Sequence, residues 1–190
     1  MFKKTSDAIT KKLKENNTIN DEQYKICQYG LQQGFTIILN VITTLALGII
    51  LGMLFYAVVF TLLYVPLRSN AGGYHAKTAS RCYLYSILLM VAVLLAIKHI
   101  VIPSVIGIIV FISSIAVISM LAPVENTNKP LDEIEIKVYH KRTLLILTIE
   151  SFVFILSLVL NWKYFMYTII WVVITMGIIL LIGKYCEMFN

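Results

Sequence analysis

Long apolar segments, separated by short polar ones, dominate the pattern of this 190-residue chain. A helix needs about 20 mostly apolar residues to span a membrane, and the chain offers six stretches of roughly that length. The pattern therefore predicts an all-α, polytopic membrane protein with six transmembrane helices in one domain, residues 1–190. The predicted spans are 31–50, 52–67, 82–98, 100–122, 143–160 and 164–183.

The first two predicted spans are separated by very few residues. Gly48 and Gly52, in the run GIILGM, offer the only place for a tight turn between them, because glycine adopts backbone conformations that other residues avoid. A single long, bent helix is the alternative.

The composition supports a membrane protein. Hydrophobic residues make up 59% of the chain and charged residues only 14%, whereas a soluble domain carries about 25% charged residues. The chain therefore has more apolar surface than one core of this size can bury, and we expect the lipid bilayer to cover the rest.

The basic residues predict the orientation of the spans. Fourteen of the sixteen lysines and arginines fall on one side, in residues 1–28, 68–81, 123–142 and the C-terminal end. Because cytoplasmic loops are enriched in lysine and arginine, we expect a multi-pass protein of the cell membrane with both termini and both loops in the cytoplasm. Lys98 and Lys163 are expected on the opposite side.

The N-terminal arm, residues 1–28, carries six lysines. Phe2, Ile9 and Leu13 are widely spaced with Ser6 on the same side, so a helix here is basic and weakly amphipathic. Such a helix either lies on anionic lipid or acts as a solvated positive anchor that only sets the topology.

A short polar segment between the second and third spans carries residues with chemical potential. It reads LRSNAGGYHAKTASRCYLYS and contains two adjacent glycines, then His75, then Cys82. On a straight helix, the spacing of seven residues is a rise of about 10 Å, too long for a direct hydrogen bond. Because the glycines allow the chain to fold back, we predict that residues 68–81 form a loop that brings His75 to Cys82 at the cytoplasmic face.

The expected position of Cys82 suits a nucleophile. Thr78 or Ser80 can cap a helix that begins just before Cys82. The positive end of the helix dipole, Arg81 and a protonated His75 all favour a thiolate, and the histidine can then act as general base or acid. The alternative is an ordinary interfacial loop.

The other two cysteines show no sign of a catalytic role, and the sequence disfavours a metal site. Cys27 and Cys186 have no histidine nearby in the sequence, and three cysteines in a reducing compartment predict free thiols rather than disulfides. A zinc site built from Cys82, His75 and His140 is disfavoured because no CxxC or HxxxH spacing is present. We expect no metal and no other cofactor.

Glu150 is the only acidic residue inside the predicted spans. A carboxylate there is costly and normally faces a partner or a wet cavity. It is predicted to support the site by pairing with a motif residue, a neighbouring span or a second protomer. The alternative is a protonated acid that is hydrogen-bonded within the bundle.

The loop 123–142 contains Pro123 and Pro130, which bracket the sequence VENTNK. These prolines predict an ordered turn rather than a helix. Its basic residues, Lys129 among them, offer charge for an acidic peptide. Its acidic residues balance that charge, so a solvated loop remains an alternative.

Two of these segments resemble the AgrB family. LRSNAGGYHAKTASRCYLYS resembles the family's core motif, and APVENTNKPLDEIEIK resembles its polar loop after the fourth hydrophobic segment. Length, basic arm and span number agree, so the resemblance covers essentially the whole chain. It implies a membrane cysteine endopeptidase of Gram-positive quorum sensing, which cuts the precursor AgrD and helps to form a cyclic thiolactone or lactone peptide.

The resemblance also implies roles for individual residues. The nucleophile is Cys82, the catalytic histidine is His75, and the family's arginine and glycines match Arg68, Gly72 and Gly73. From proximity alone, Asn70 and Ser69 could orient His75 or donate to an oxyanion. Lys77 is a further candidate supporting or substrate-binding residue of the motif.

The resemblance implies an AgrD-like precursor with an acidic C-terminal region, which the basic surface attracts. It also implies a homodimer, for which Gly30, Gly34 and Gly48 allow close helix contact. We expect no nucleic-acid partner. The rival class is a non-enzymatic transporter subunit or peptide-export scaffold, although the two halves of the chain show no internal repeat.

Overall fold

The computed structural model describes residues 3–16, 18–74, 78–125 and 131–188. Within these ranges six helices are long and apolar enough to cross a membrane, and a short basic helix precedes them. The prediction of an all-α protein with six spans is therefore confirmed. The helices are α1 (Lys3–Glu15), α2 (Asp21–Ile50), α3 (Leu54–Ala71), α4 (Ala79–His99), α5 (Ser104–Leu121), α6 (Glu133–Val159) and α7 (Lys163–Met188).

Helix α7 forms the centre of the bundle and contacts α3, α4, α5 and α6. Most of its side chains from Met166 to Leu180 are buried, as expected for a helix that is apolar on all sides. Helix α2 lies at the periphery against α1, α3 and α4. Its surface is largely apolar and exposed, which suits contact with lipid; examples are Ile26, Ile38, Ile42 and Ile50.

A tight turn separates α2 from α3. Gly52 has a φ of +67°, and the Met53 N–H donates to the Gly48 carbonyl over 2.7 Å. The two helices approach so closely at Gly48 that an added Cβ there would lie 2.9 Å from the Cβ of Ala57. The predicted turn at these glycines is confirmed, and the alternative of one bent helix is wrong.

The N-terminal arm contains α1 and the start of α2. Helix α2 begins inside it, at an Asn20 cap whose side chain accepts from the Gln23 N–H over 2.8 Å. The Gln23 side chain in turn accepts from the Asn20 N–H. The backbone N–H groups of Asn20 and Gln23, which have no carbonyl partner at the start of the helix, are thus both hydrogen-bonded. Ser6 is fully buried, whereas Ile9 is 37% exposed, so the two do not share one lipid-facing side.

The predicted loop 68–81 is shorter in the structure. Helix α3 continues to Ala71 and α4 begins at Ala79, so only residues 72–78 lie between the helices. Arg68 and Asn70 therefore project from the last turn of α3 and not from a loop.

The predicted loop 123–142 is also shorter in the structure, because its second half is helical. Helix α6 begins at Glu133 because Asp132 caps it: the Asp132 side chain accepts from the Glu135 N–H over 2.6 Å. The Glu135 carboxylate accepts from the Asp132 N–H over 3.2 Å, which completes a capping box. Residues 122–125 are not helical, while most of the VENTNK turn, Lys129 included, lies outside the described residues.

Candidate active site

The chain leaves α3 through two glycines with unusual backbone angles. Gly72 has a φ of +73° and Gly73 a φ of +107°, which only glycine adopts readily. The guanidinium of Arg68, one turn back on α3, donates to the carbonyls of Gly72, Gly73 and Tyr74. The planar fork of arginine suits several acceptors at once, so Arg68 holds the turned segment in place.

A second segment clamps this turn from the side. The Gly73 N–H donates to the Val124 carbonyl over 3.3 Å, and the Val124 N–H donates to the Ala71 carbonyl over 2.9 Å. Gly72 and Val124 thus form an isolated parallel bridge. A Cβ on Gly72 would lie 2.1 Å from the Val124 oxygen, so no larger residue fits without moving one of the two backbones.

Helix α7 supports the turn from below. The Tyr74 N–H donates to the Ile179 carbonyl over 3.3 Å. This close approach depends on Gly183, where an added Cβ would lie 2.6 Å from the Tyr74 nitrogen and 2.9 Å from the Gly73 carbonyl carbon. Gly183 was not identified from the sequence, where its only signal is a glycine near the end of an apolar helix.

His140 of α6 holds the clamping segment. Its Nδ1 lies 2.8 Å from the Ala122 carbonyl oxygen, and because a carbonyl can only accept, the ring nitrogen is the donor. Within the described ranges no group of three metal-ligating side chains occurs. His140 has a structural partner, and the zinc alternative includes His75, which lies outside the described residues.

Cys82 lies at the end of the first turn of α4 and is half-buried. The Thr78 hydroxyl accepts from the Arg81 N–H over 3.3 Å, and the Cys82 N–H donates to the Thr78 carbonyl over 3.0 Å. The predicted Thr78 cap is therefore confirmed, and Cys82 is near the N-terminal end of its helix, where the helix dipole is positive.

Aromatic residues connect the turn to Cys82. The side chain of Tyr64 on α3 lies close to those of Arg68 and Cys82. The ring of Tyr74 lies against that of Tyr85 on α4, with centroids 6.4 Å apart. Sequence reasoning missed Tyr64, whose signal is its spacing of four residues from Arg68 on one helix.

His75 and Lys77 lie outside the described residues, so the approach of His75 to Cys82 stays a prediction. The described residues on either side are Tyr74, fixed by its N–H and its carbonyl, and Thr78, which caps α4. Asn70 donates from its side-chain nitrogen to the Pro66 carbonyl over 2.8 Å. Its proposed role in orienting His75 also stays a prediction.

Glu150 lies in the interior of the bundle and is only 1% exposed. Neither carboxylate oxygen has a hydrogen-bond partner among the described residues. Neither a pairing with a described motif residue nor a hydrogen bond within the described bundle is therefore observed. Because the side chain is enclosed by its own chain, a second protomer does not reach it in this conformation.

The chain is similar to known proteins over nearly its whole length. Residues 6–182 match the AgrB family, Accessory gene regulator B. AgrB-like protein 2 of Clostridium perfringens (strain 13 / Type A) is 28% identical over 171 residues, 86% of this chain and 80% of that protein. Accessory gene regulator protein B of Staphylococcus aureus (strain Newman) is 25% identical over 160 residues, 84% of this chain and 83% of that protein.

No solved structure matches the chain significantly. The family match covers both loops of the site and all but the end of the last span. The chain therefore belongs to the AgrB family, the accessory gene regulator B proteins of quorum sensing.

Proposed function

We propose that this protein is a membrane cysteine endopeptidase that cleaves an AgrD-like precursor, with Cys82 as nucleophile and His75 as general acid and base. Membership of the AgrB family supports a role in quorum sensing together with an AgrD precursor. One observation carries the chemical proposal: the residues directly before His75 are fixed by Arg68, Val124 and Ile179, next to the helix that bears Cys82.

Cleavage starts with the thiol of Cys82, whose proton passes to His75. The thiolate attacks the scissile carbonyl carbon, and the C–N bond of the resulting tetrahedral intermediate breaks. His75 returns the proton to the leaving amine. The acyl part of the precursor is then held on Cys82 as a thioester.

Cyclisation follows when a thiol within the bound peptide attacks that thioester. The new C–S bond closes the ring, the bond to the Cys82 sulfur breaks, and the proton of the attacking thiol returns to Cys82 through His75. Exchange of one thioester for another is nearly isoenergetic, and a bound nucleophile reacts at high effective molarity. A peptide hydroxyl gives a lactone by the same route, while water gives a linear acid.

Precursor binding is proposed to use the basic surface around the site. Asn70 projects from the last turn of α3 next to the turned segment, and Lys77 and Lys129 carry charge for an acidic peptide. We expect Lys129→Glu to weaken processing, and more so at low salt, where charges are screened less. Unchanged processing at every salt concentration would remove Lys129 from the binding surface.

We further propose that both termini and the site face the cytoplasm, as the distribution of basic residues favours. Single cysteines placed near Lys98 and Lys163 should then react with an impermeant thiol reagent added outside whole cells. A cysteine near Lys137, on the cytoplasmic end of α6, should stay unlabelled, and its labelling would overturn this orientation.

A homodimer is proposed through the exposed surface of α2. Gly30 and Gly34 face open space, with no atom within 4 Å of an added Cβ, so a second helix can approach closely there. Gly48, in contrast, is already packed against Leu54 and Ala57 of its own chain. Gly30→Leu should reduce crosslinked dimer in membranes, and an unchanged dimer would exclude this surface.

Co-expression with the precursor peptide, followed by mass spectrometry of its fragments, tests the proposed activity. Cys82→Ser should abolish cleavage. Cys27→Ser is the matched control, because Cys27 is also a half-buried free thiol but lies on α2, and it should cleave normally. Normal processing by Cys82→Ser would instead favour a transporter or scaffold, which does not need the thiol.

A further inference from the structure

A cavity of about 240 Å³ opens at the end of the bundle opposite Cys82. It lies between the C-terminal end of α4 and the start of α7. Two lysines and two tyrosines line it, Lys98, Lys163, Tyr164 and Tyr167, together with aliphatic side chains from residues 97–101. Along α4, Lys98 is about 24 Å from Cys82 at 1.5 Å per residue, so this cavity is separate from the candidate active site.

The charge around this cavity is positive and uncompensated. Residues 78–124 and 151–186 contain no aspartate or glutamate. Lys98 donates to the Leu51 carbonyl over 3.3 Å, which leaves two of its three N–H donors. Lys163 is exposed and has no ion-pair partner among the described residues. Two lysines at one cavity without a carboxylate favour an anion.

The buried tyrosine gives an independent indication of a polar ligand. Tyr167 is only 5% exposed, yet its hydroxyl has no hydrogen-bond partner within the described ranges. Tyr167 lines the cavity, and its hydroxyl is not among the fully enclosed side-chain groups without a partner, which are those of Glu150 and Trp171. A buried polar group of this kind is normally satisfied by a partner.

The surroundings favour a lipid over a free anion. Val101 is 79% exposed and Ile100 47% exposed, so the cavity borders apolar surface that lipid must cover. It lies where two predicted spans end, at the level of the headgroups, where lysine and tyrosine are typical anchors. Its volume is below the roughly 300–1,000 Å³ of drug-sized ligand sites, which suits a small headgroup and not a peptide ring.

We propose that this cavity binds the phosphodiester headgroup of an anionic phospholipid. The two ammonium groups contact the phosphate oxygens, and the Tyr167 hydroxyl donates a hydrogen bond to one of them. The acyl chains lie along the exposed aliphatic residues at the end of α4. A bound lipid would join the end of α4 to the start of α7, which is the central helix of the bundle.

Native mass spectrometry of the protein in neutral detergent tests the proposal, with phosphatidylglycerol or phosphatidylcholine added at equal concentration. The wild type should retain phosphatidylglycerol preferentially. In Lys98→Gln/Lys163→Gln its affinity should fall about tenfold or more, since each lysine near an anionic lipid contributes substantially. The matched control, Lys137→Gln/Lys141→Gln, removes the same charge from exposed positions at the other end of the bundle and should bind normally.

Two further variants keep the test decisive if the double variant does not fold. Lys163→Gln alone changes an exposed residue and should weaken retention several-fold, and Tyr167→Phe removes only the hydroxyl and should do the same. Equal losses in the two double variants would mean unspecific charge attraction and overturn the site. Inorganic phosphate that displaces phosphatidylglycerol at millimolar concentration, or unchanged retention by Lys163→Gln and Tyr167→Phe, would overturn it as well.

Discussion

Two glycine-containing turns flank α3, and they differ in what holds them. The turn at Gly52 is local: its hydrogen bonds, such as Met53 to Gly48, join residues close in sequence, and a Cβ on Gly52 would meet open space. The turn at Gly72 is held by partners far away in the chain. Val124 and Ile179 bond to it, and an added Cβ would overlap the Val124 oxygen.

The two turns therefore have different roles: the turn at Gly52 only connects two helices, whereas the turn at Gly72 positions the residues before His75. The first turn only needs to reverse the chain, so many local sequences containing one glycine would serve. The second turn must keep one fixed backbone conformation, because Arg68, Val124 and Ile179 all bond to the residues that directly precede His75. Enzymes depend on such positioning, since a displacement of about 1 Å can cost a hundredfold in rate. Substitutions at the two turns should therefore have very different effects on cleavage.

The largest effect is expected for Gly72→Ala. The new Cβ would lie 2.1 Å from the Val124 oxygen, so the turn must shift, and cleavage of the precursor should fall about a hundredfold. Gly52→Ala is the matched control: it has a similar positive φ but open space. It should cost about 1–2 kcal/mol of stability and leave cleavage largely intact. Equal losses of cleavage in the two variants would contradict the claim that only the turn at Gly72 positions the site.

Arg68→Lys should have the next largest effect. Lysine keeps the positive charge but lacks the planar fork that serves three carbonyls. Losing charged hydrogen bonds worth about 1.5–3 kcal/mol should lower the cleavage rate roughly thirtyfold. Arg142→Lys, at an exposed position on α6, should cleave normally. If Arg68→Lys also cleaved normally, the guanidinium would not position the site.

Gly183→Ala tests the support from α7. Its Cβ would meet the backbone of Gly73 and Tyr74, which cannot swing aside as a side chain can, and such overpacking costs about 1–3 kcal/mol. We expect roughly tenfold slower cleavage. Gly177→Ala on the same helix has only the Val117 side chain nearby, 4.0 Å away, and should be as active as the wild type. A loss in both variants would indicate general damage to α7.

The smallest effect is expected for His140→Phe, which removes the hydrogen bond to Ala122 and keeps an aromatic ring. A bond of about 1 kcal/mol corresponds to a several-fold change, and we expect about threefold slower cleavage because the clamping segment is loosened. The control is His99→Phe, which alters an exposed histidine at the end of α4 that is far from Cys82. This variant should cleave at the normal rate. An unchanged rate in His140→Phe would show that Val124 holds its position without this bond.

The hydrophobic pattern was sufficient to predict the spans, because a membrane helix is recognised by its own length and composition. Local chemistry was also readable: Thr78 caps α4, and Gly52 makes a turn. The capping box at Asp132 was equally visible in the sequence as D-x-x-E, but the flanking prolines led us to predict a longer loop.

The contacts that fix the turn at Gly72 were not predictable, because they join residues that are far apart in the chain. Nothing local relates Val124 or Gly183 to the glycine pair, and only packing of the bundle brings them together. The sequence marked Arg68 and Gly72 through a resemblance to a family, whereas their physical roles, a donor to three carbonyls and a contact without space for a side chain, require the folded structure.

The most direct test of the account is the intact mass of the protein after incubation with a precursor whose cyclising cysteine has been replaced by alanine, which has no thiol. Ring closure is then impossible, so the acyl-enzyme should accumulate. We predict an added mass equal to the acyl fragment, located on Cys82, removed by hydroxylamine, retained in Cys27→Ser and absent from Cys82→Ser. Cleavage of this precursor by Cys82→Ser, with no adduct on the wild type, would contradict a Cys82 thioester as the central intermediate.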